Sequence, residues 1–462
     1  MEKEKFSSRL GFLLISAGCA IGLGNVYKFP IWTGAYGGAI FVLIYVIFLI
    51  LLGLPAMMCE LAVGRASQRS IASSFEALEP KGHKWHLWQY VGVVANYALM
   101  MCYTPITAWF VIYFVKYLTG NASAAGATSD ELMNYFLTTL VGNPGGSALV
   151  TIIVVIVGLG VCALGLQKGV ERITKVMMIA LFILLTGLSV YSLTLPGTKE
   201  ALNFYFVPSV EKAQSVGWST VISSAMSQAF FTLSIGIGSI AIFGASIGRE
   251  RSLMGEATTI IGLDTFVAIM SGLFLFPAYF TYNSGIAIEG SNAGASFLFV
   301  TISSVFNNMG GIGKVLGILF FLFMVFAAMS TVIAVMENIV NFWLEKTKIK
   351  SRGLIALINI ALIGLLALPA VFSMTGHGFF GDFTLFGKTA DALEDFFVSN
   401  IALPIGCLIY CGFCTWKFGW GWNSFFDEVN AGEGAKLPKW VKPYMSYVLP
   451  LIIAVVIVMS LT

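Results

Sequence analysis

The 462 residues are 58% hydrophobic and only 11% charged, with a mean hydropathy of +0.87. A soluble domain needs about twice that share of charge to cover its surface, so the composition excludes a soluble protein and defines a polytopic membrane protein. The formal net charge of +3 is an orientation signal carried by loops and not a nucleic-acid footprint.

Runs of about 20 apolar residues, the length that spans a bilayer, number eleven: 10–34, 39–63, 89–118, 148–166, 176–195, 221–245, 262–282, 314–344, 354–373, 396–417 and 444–461. The first run is interrupted at Gly18-Cys19-Ala20-Ile21-Gly22-Leu23-Gly24-Asn25 and the sixth at Thr232-Leu233-Ser234-Ile235-Gly236-Ile237-Gly238. Neither is expected to be a straight helix. An unpaired backbone N–H or C=O in hydrocarbon costs several kcal/mol, so unwound chain is tolerated only where it lines a cavity and binds something. The first run lacks a cleavage site for a leader and is expected to stay in the mature chain.

Lys and Arg in short loops stay cytoplasmic. Eleven spans place Lys3, Lys5, Arg9, Arg65, Arg69, Lys81, Lys84, Lys168, Arg172, Lys175, Arg249, Arg251, Lys346, Lys348, Lys350, Arg352, Lys436, Lys439 and Lys442 on one face. The opposite loops, 119–147, 196–218, 283–313 and 374–394, carry few basic residues. The N-terminus is therefore expected in the cytoplasm and the C-terminus outside, in a cell membrane of bacterial inner-membrane type. Loop 119–147 reads as flexible, 196–218 as packing over the outer mouth, and Gly-Trp-Gly-Trp at 419–422 as an interfacial anchor.

The fold class that follows is an all-α polytopic membrane protein with a 5+5 inverted repeat, broken helices 1 and 6, and an eleventh helix. Residues 1–462 form one transporter domain, with repeats at 10–195 and 221–417 and the additional helix at 444–461. Five is odd, so the second set enters from the opposite side, the arrangement from which alternating access is built.

All seven cysteines lie in apolar runs, and Cys411-Gly-Phe-Cys414 has no second ligand pair, so packing is its expected role. His83 and His86 read as a solvated loop pair. Asn121-Ala-Ser123 is a glycosylation triplet in a loop assigned to the outside. A buried monovalent cation needs about five or six oxygen ligands and partial charge neutralisation. Side-chain oxygens in the apolar runs come from Asn25, Thr232, Asp264, Ser330 and Thr331, and an intramembrane carboxylate such as Asp264 is a functional candidate. Ser330 and Thr331 taken alone equally suit bonds to their own helix carbonyls. Glu60 reads as a structural carboxylate receiving N–H bonds from a broken helix, and Glu337 admits the same role.

Arg9-Leu10-Gly11, the run from Ala20 to Pro30, Gly37-Gly38-Ala39-Ile40-Phe41, Gly53-Leu54-Pro55 with Glu60 and Gly64-Arg65, Lys168-Gly169-Val170-Glu171-Arg172 and Gln228-Ala229-Phe230-Phe231-Thr232-Leu233-Ser234 resemble the neurotransmitter:sodium symporter family over nearly the whole chain. Within it, the chain resembles the eleven-span bacterial amino-acid carriers. The resemblance implies two sodium ions. One would take Ala20, Asn25, Thr232, Asp264 and the carboxylate of the substrate; the other would take Gly18, Ile21, Ala327, Ser330 and Thr331. Many relatives have Asn where this chain has Asp264, and chloride-dependent ones bind an anion beside it. The Asp264 carboxylate is expected to remove any chloride requirement, with Tyr45 and Gln228 bonding to it.

Monoamine carriers of the family have Asp at the position of Gly22, so the Gly implies an amino-acid substrate bringing its own carboxylate. Tyr103 would donate to that carboxylate, helped by helix N-termini at the breaks. Ala20, Phe231, Thr232 and Ser234 would take the ammonium, beside the backbone of Gly22 and Gly24. The side-chain pocket would be Ile21, Leu99, Tyr103, Phe231, Ile237, Thr331 and Val335, which suits a neutral hydrophobic amino acid. Lys28 and Asp395 would gate the outer side and Lys3 and Glu345 the inner side. Ser246 stands where a gate tyrosine is usual, and Ile179 where a proline is. The alternatives are a proton-coupled amino-acid carrier and a non-transporting sensor. An enzyme is not expected, because no nucleophile and base occur at usable spacing.

Overall fold

The computed structural model describes residues 6–121, 129–282 and 297–461. Among these, nine helices are long and apolar enough to cross a membrane: Ala39–Ser67, Trp85–Leu118, Pro144–Ala163, Leu166–Ser192, Leu253–Tyr282, Gly311–Lys346, Arg352–Thr375, Ala390–Thr415 and Lys439–Ser460. Another crossing is made of two pieces, Arg9–Ala20 and Gly24–Ala35, bent by 50°. The remaining segment is Trp218–Leu233 followed, after residues 234–240, by Ala241–Gly244. In chain order these are spans 1 to 11, and spans 1 and 6 are the broken ones.

Several spans start earlier than hydropathy alone indicates, because their charged first turns are paired and therefore admitted to the helix. Span 5 begins at Leu166, with Glu171 buried and accepting the Ser7 backbone N–H at 2.9 Å. Span 7 begins at Leu253, with Glu256 2.9 Å from the Arg9 guanidinium. Span 10 begins at Ala390 and includes Asp395, held by Lys28.

Span 8 is central, with 72% of its most apolar window buried, whereas span 11 is peripheral at 33%. Every residue of span 1 from Gly11 to Ala20 is buried. Helices that are apolar all round pack where small residues let their backbones approach. Here a Cβ at Gly64 of span 2 would overlap the Ala241 carbonyl, and one at Gly244 would lie 2.5 Å from the Leu61 carbonyl oxygen. The short half of span 6 is thus seated directly on span 2.

The loops correct three expectations. Residues 129–141 of the loop expected to be flexible are helical, as Ser129–Phe136 continuing through Leu137–Val141; most of the Asn121 triplet lies outside the described residues. In the 196–218 loop, Thr198–Phe206 lies on span 7, where the Tyr205 hydroxyl donates to the Ala268 and Ile269 carbonyls at 3.4 and 3.3 Å. Trp422 opens an amphipathic helix, Trp422–Val429, and is buried against Phe425 and Phe426, so it is a packing residue and not an anchor.

That helix presents Glu428 to Arg65, whose side chain is fully buried. Arg65 Nε donates to Glu428 Oε1 at 2.6 Å and Nη1 to the Arg251 carbonyl at 2.8 Å; Arg249 Nη2 reaches Glu428 Oε2 at 2.6 Å. The linker between spans 6 and 7 is thereby fastened to the one between spans 10 and 11, and Ser252 N donates to the Glu433 carbonyl at 2.8 Å. Removing one partner of a buried pair typically costs about 3–5 kcal/mol. Glu428→Leu is expected to lower unfolding stability in detergent by about that amount, with Glu428→Leu/Arg65→Leu recovering part of it; an unchanged single variant would show that the pair contributes nothing.

Candidate functional site at the two helix breaks

At the break in span 1 the freed donors go to side chains. The Gly22 N–H donates to Asn25 Oδ1 at 3.1 Å and the Leu23 N–H to the Tyr103 hydroxyl oxygen at 2.7 Å. The freed carbonyls are met by hydroxyls. Ser330 Oγ donates to Ile21 O at 3.2 Å and to Ala327 O at 2.9 Å; Thr331 Oγ1 lies 3.4 Å from both Gly18 O and Cys19 O. Ser234, with φ of 51°, sends its hydroxyl to Cys19 O at 3.1 Å. Gly18, Ile21, Ala327, Ser330 and Thr331 are therefore brought together. No space remains for a side chain at position 22, where a Cβ would overlap the hydroxyls of Thr331 and Tyr103.

The break in span 6 is held differently. Glu60 Oε2 accepts the Gly236 N–H at 2.5 Å, and Oε1 accepts those of Ile240 and Ala241 at 2.9 and 3.2 Å. This is the structural carboxylate role read from the sequence, and it occupies the N-terminus of the second half-helix. Of the two N-termini expected to face a substrate carboxylate, only the one in span 1 is left for it. The Trp88 indole donates to Gly236 O at 3.2 Å, and the Asn96 amide donates to Ile237 O at 2.8 Å and Gly92 O at 2.7 Å. Asn338 donates to Asn96 Oδ1 at 3.2 Å and to Ile237 O at 3.4 Å. Gly236 has φ of 100°, and a Cβ there would overlap the Leu403 carbonyl, so only glycine fits.

Asp264 joins the two breaks. Asn25 Nδ2 donates to its Oδ1 at 2.9 Å and to its main-chain carbonyl at 3.0 Å; Thr232 Oγ1 lies 3.2 and 3.3 Å from its carboxylate oxygens. The Tyr45 hydroxyl is 3.5 Å from Oδ2. All four side chains are fully buried, and Asp264 forms no ion pair with a described residue. Gln228 departs from expectation: its amide donates to Gly24 O at 2.7 Å because the carbonyl freed at the first break is within reach. Glu337 is not at this site, being paired with Arg352 and with Asn341 at 2.7 Å.

Between the breaks lies a narrow cavity of about 10 Å³ lined by Ala20, Gly24, Leu99, Tyr103, Phe231, Ser234, Thr331 and Leu403. Of the expected lining, Ile21, Ile237 and Val335 are fully buried in packing beside it and do not face it. Leu403 was not legible in the sequence because nothing marks which face of span 10 meets the break. Asn96 and Asn338 carried a signal, being amides inside apolar runs.

Lys28 lies beyond Phe231, a residue of the cavity wall. Its Nζ lies 2.9 Å from both Asp395 carboxylate oxygens, 3.1 Å from Ser399 Oγ, and 4.1 Å above the ring of Phe231. At the opposite end two open recesses of about 610 and 440 Å³ share Ser246. Glu345 accepts the Ser70 N–H at 2.8 Å and the Ser73 hydroxyl at 2.5 Å; its expected partner Lys3 lies outside the described residues. Among the described residues no three His, Cys, Asp or Glu side chains gather as a metal site, and His86 Nδ1 sits 2.5 Å from Glu79. Around the span 1 break and Asp264 the oxygens are carbonyls, hydroxyls, the Asn25 amide and the Asp264 carboxylate, a hard donor set suited to alkali cations.

The chain matches the sodium:neurotransmitter symporter family over residues 3–129 and 129–462, and it belongs to that family of transporters. It is 31% identical to the Bacillus subtilis sodium-dependent transporter YhdH over 93% of this chain and 91% of that one. A Haemophilus influenzae sodium-dependent transporter is 28% identical over 100% and 98%. The structure of MhsT in complex with L-phenylalanine superposes with a TM-score of 0.88 at 32% identity, covering 99% of this chain and 100% of that one. The protein is thus a membrane-embedded, sodium-dependent transporter with the inverted-repeat, broken-helix architecture.

Leaving a buried carbonyl without its donor costs about 1–3 kcal/mol. Asn96→Leu, which strips Ile237 O of its nearest donor, is expected to lower thermal stability in detergent to that extent; a Tm equal to that of the parent protein would show that the amide does not hold the break.

Proposed function

We propose that the protein is a sodium-coupled importer of a neutral, hydrophobic amino acid, working by alternating access and without chloride. Two ions are co-transported. One is held by Ala20, Asn25, Thr232, Asp264 and the substrate carboxylate, and the other by Gly18, Ile21, Ala327, Ser330 and Thr331. Residues 10–195 and 221–417 act as the two inverted repeats, with 444–461 added. The N-terminus is cytoplasmic and the C-terminus outside, so Lys28 and Asp395 form the outer gate and the recesses at Ser246 face the cytoplasm.

The observation that carries this reading is the Asp264 carboxylate, buried against Asn25 and Thr232 at the meeting of both breaks with no basic partner among the described residues. A fixed negative charge there offsets one sodium ion, the role an anion would otherwise fill. The substrate class rests on the cavity. Its walls are apolar except for the hydroxyls of Tyr103, Ser234 and Thr331, the lining expected around a small neutral ligand oriented by a few polar groups. The Tyr103 oxygen is spent as an acceptor on Leu23 N–H, which leaves its proton for a substrate carboxylate. L-Phenylalanine in MhsT is a neutral hydrophobic amino acid of the kind proposed. Two sodium ions crossing 100 mV down a tenfold gradient release about 7 kcal/mol, enough for roughly a 10⁵-fold substrate gradient under tight coupling.

Three experiments check this. Purified protein in chloride-free sodium gluconate should bind hydrophobic amino acids and lose binding when potassium replaces sodium; chloride stimulation of the parent protein would overturn the chloride-independent reading, and uptake driven by a pH gradient without sodium would favour a proton-coupled carrier. Asp264→Asn should weaken sodium-dependent binding about tenfold to 100-fold, the range for losing a hydrogen-bonded charge, or make it chloride-dependent. Gly22→Asp should abolish binding; tight binding of a monoamine by that variant would contradict the steric reading of position 22.

A further inference from the structure

The segment between spans 9 and 10 has an exposed aromatic surface that transport does not account for. Gly376 and Gly378, each with φ of 64°, turn the chain out of span 9 into the short helix Gly378–Asp382. A two-stranded hairpin follows, Thr384–Leu385 against Lys388–Thr389. Its tip is Phe386-Gly387, with φ of 52° and 73°, a turn in which Asn or Asp ordinarily precedes the Gly. A bulky residue in that backbone region is an outlier, and the Phe386 side chain is 87% exposed. Phe379 is 75% exposed and is in ring contact with Phe380 and Phe383 at 5.2 and 5.7 Å.

Phe379 and Phe380 line an apolar groove of about 490 Å³ whose other wall is the end of span 9: Leu365, Leu366, Leu368, Pro369 and Phe372. Leu365 is 66% exposed and continues the outward row of Leu354, Leu357, Ile358 and Leu362 along span 9. In a helix that crosses the membrane, that row is the face the acyl chains cover. The groove is continuous with it, at the level where the span leaves the hydrocarbon.

We propose that the aromatic tip formed by Phe379, Phe386 and Leu385 is seated in the phospholipid leaflet on the Lys28 side, with acyl chains filling the groove against span 9. Water is the worse neighbour for these rings, and amphipathic surfaces of this kind settle at the headgroup and acyl boundary. The tip is tied to the gate. Thr389 and Ser373 hydroxyls donate to Asp391 at 2.8 and 2.6 Å, and one turn further on Asp395 holds Lys28. The leaflet thus braces the segment that carries the Asp395 side of the gate.

The test uses full-length protein in phosphatidylcholine/phosphatidylglycerol nanodiscs with Leu385→Cys carrying an environment-sensitive fluorophore. All seven native cysteines are buried, so labelling is selective. The expected result is blue-shifted emission that lipids brominated near the headgroup quench more strongly than aqueous iodide. Adding Phe379→Ser and Phe386→Ser should return the emission to its aqueous value with sodium-dependent amino-acid binding retained. Iodide quenching without bromolipid quenching overturns the proposal, as does a blue shift that survives loss of both phenylalanines. A shift seen only when two copies share one disc assigns the surface to a second copy of this chain and overturns it equally.

Discussion

Backbone hydrogen bonding in hydrocarbon is the constraint on which the rest of this structure depends. Two helices are opened near the centre of the molecule, and every N–H and C=O they release must find a partner away from water. The two breaks solve this in chemically different ways. In span 6 the partners are a carboxylate, an indole and two amides: Glu60, Trp88, Asn96 and Asn338. These groups are directional and mutually locked, with Asn96 using both amide hydrogens and accepting from both Asn338 and Ser239. In span 1 the carbonyls of Gly18, Cys19 and Ile21 are met by the hydroxyls of Ser234, Ser330 and Thr331, and only that of Gly24 takes an amide, from Gln228. A hydroxyl rotates its proton at little cost and then offers the same oxygen as a ligand. One break is therefore fixed scaffold, and the other presents the oxygens that the proposed cation would take as ligands.

Charge follows the same division. Glu60 spends its carboxylate on three backbone donors, and Glu337 on Arg352 and Asn341. Asp264 alone among these three touches side chains from both broken spans, Asn25 and Thr232. Lys28 sits on Phe231, one residue before Thr232, so the Lys28–Asp395 pair and the Asn25–Thr232–Asp264 cluster meet at one turn of span 6. In the transport cycle proposed above, this packing is what would couple binding at the centre to closure at the Lys28 end.

Much of this was legible in the sequence because hydrophobic length and glycine clustering are local signals. The eleven segments, the two breaks, the Lys28–Asp395 pair and the gathering of Ser330 and Thr331 on the span 1 carbonyls all follow from residues read in order or from the family resemblance. The span starts at Leu166, Leu253 and Ala390 did not, because Glu171, Glu256 and Asp395 look like loop charge until their partners are known. Leu403 in the cavity wall and the Arg65–Glu428 fastening join residues hundreds of positions apart. Such pairings are decided by tertiary packing, which no single window of sequence contains. Gln228 illustrates the converse: its neighbourhood was right, yet a freed carbonyl was the nearer acceptor.

The most direct measurement is a cryo-electron-microscopy map of the protein in sodium with a hydrophobic amino acid at saturating concentration. Ligand density enclosed by Ala20, Tyr103, Phe231 and Thr331, flanked by cation density at Asn25–Asp264 and at Ser330–Thr331, is the expected result. Helices 1 and 6 running unbroken through Gly22 and Gly236, or an amino acid bound elsewhere with those oxygens still bonded to one another, would contradict it.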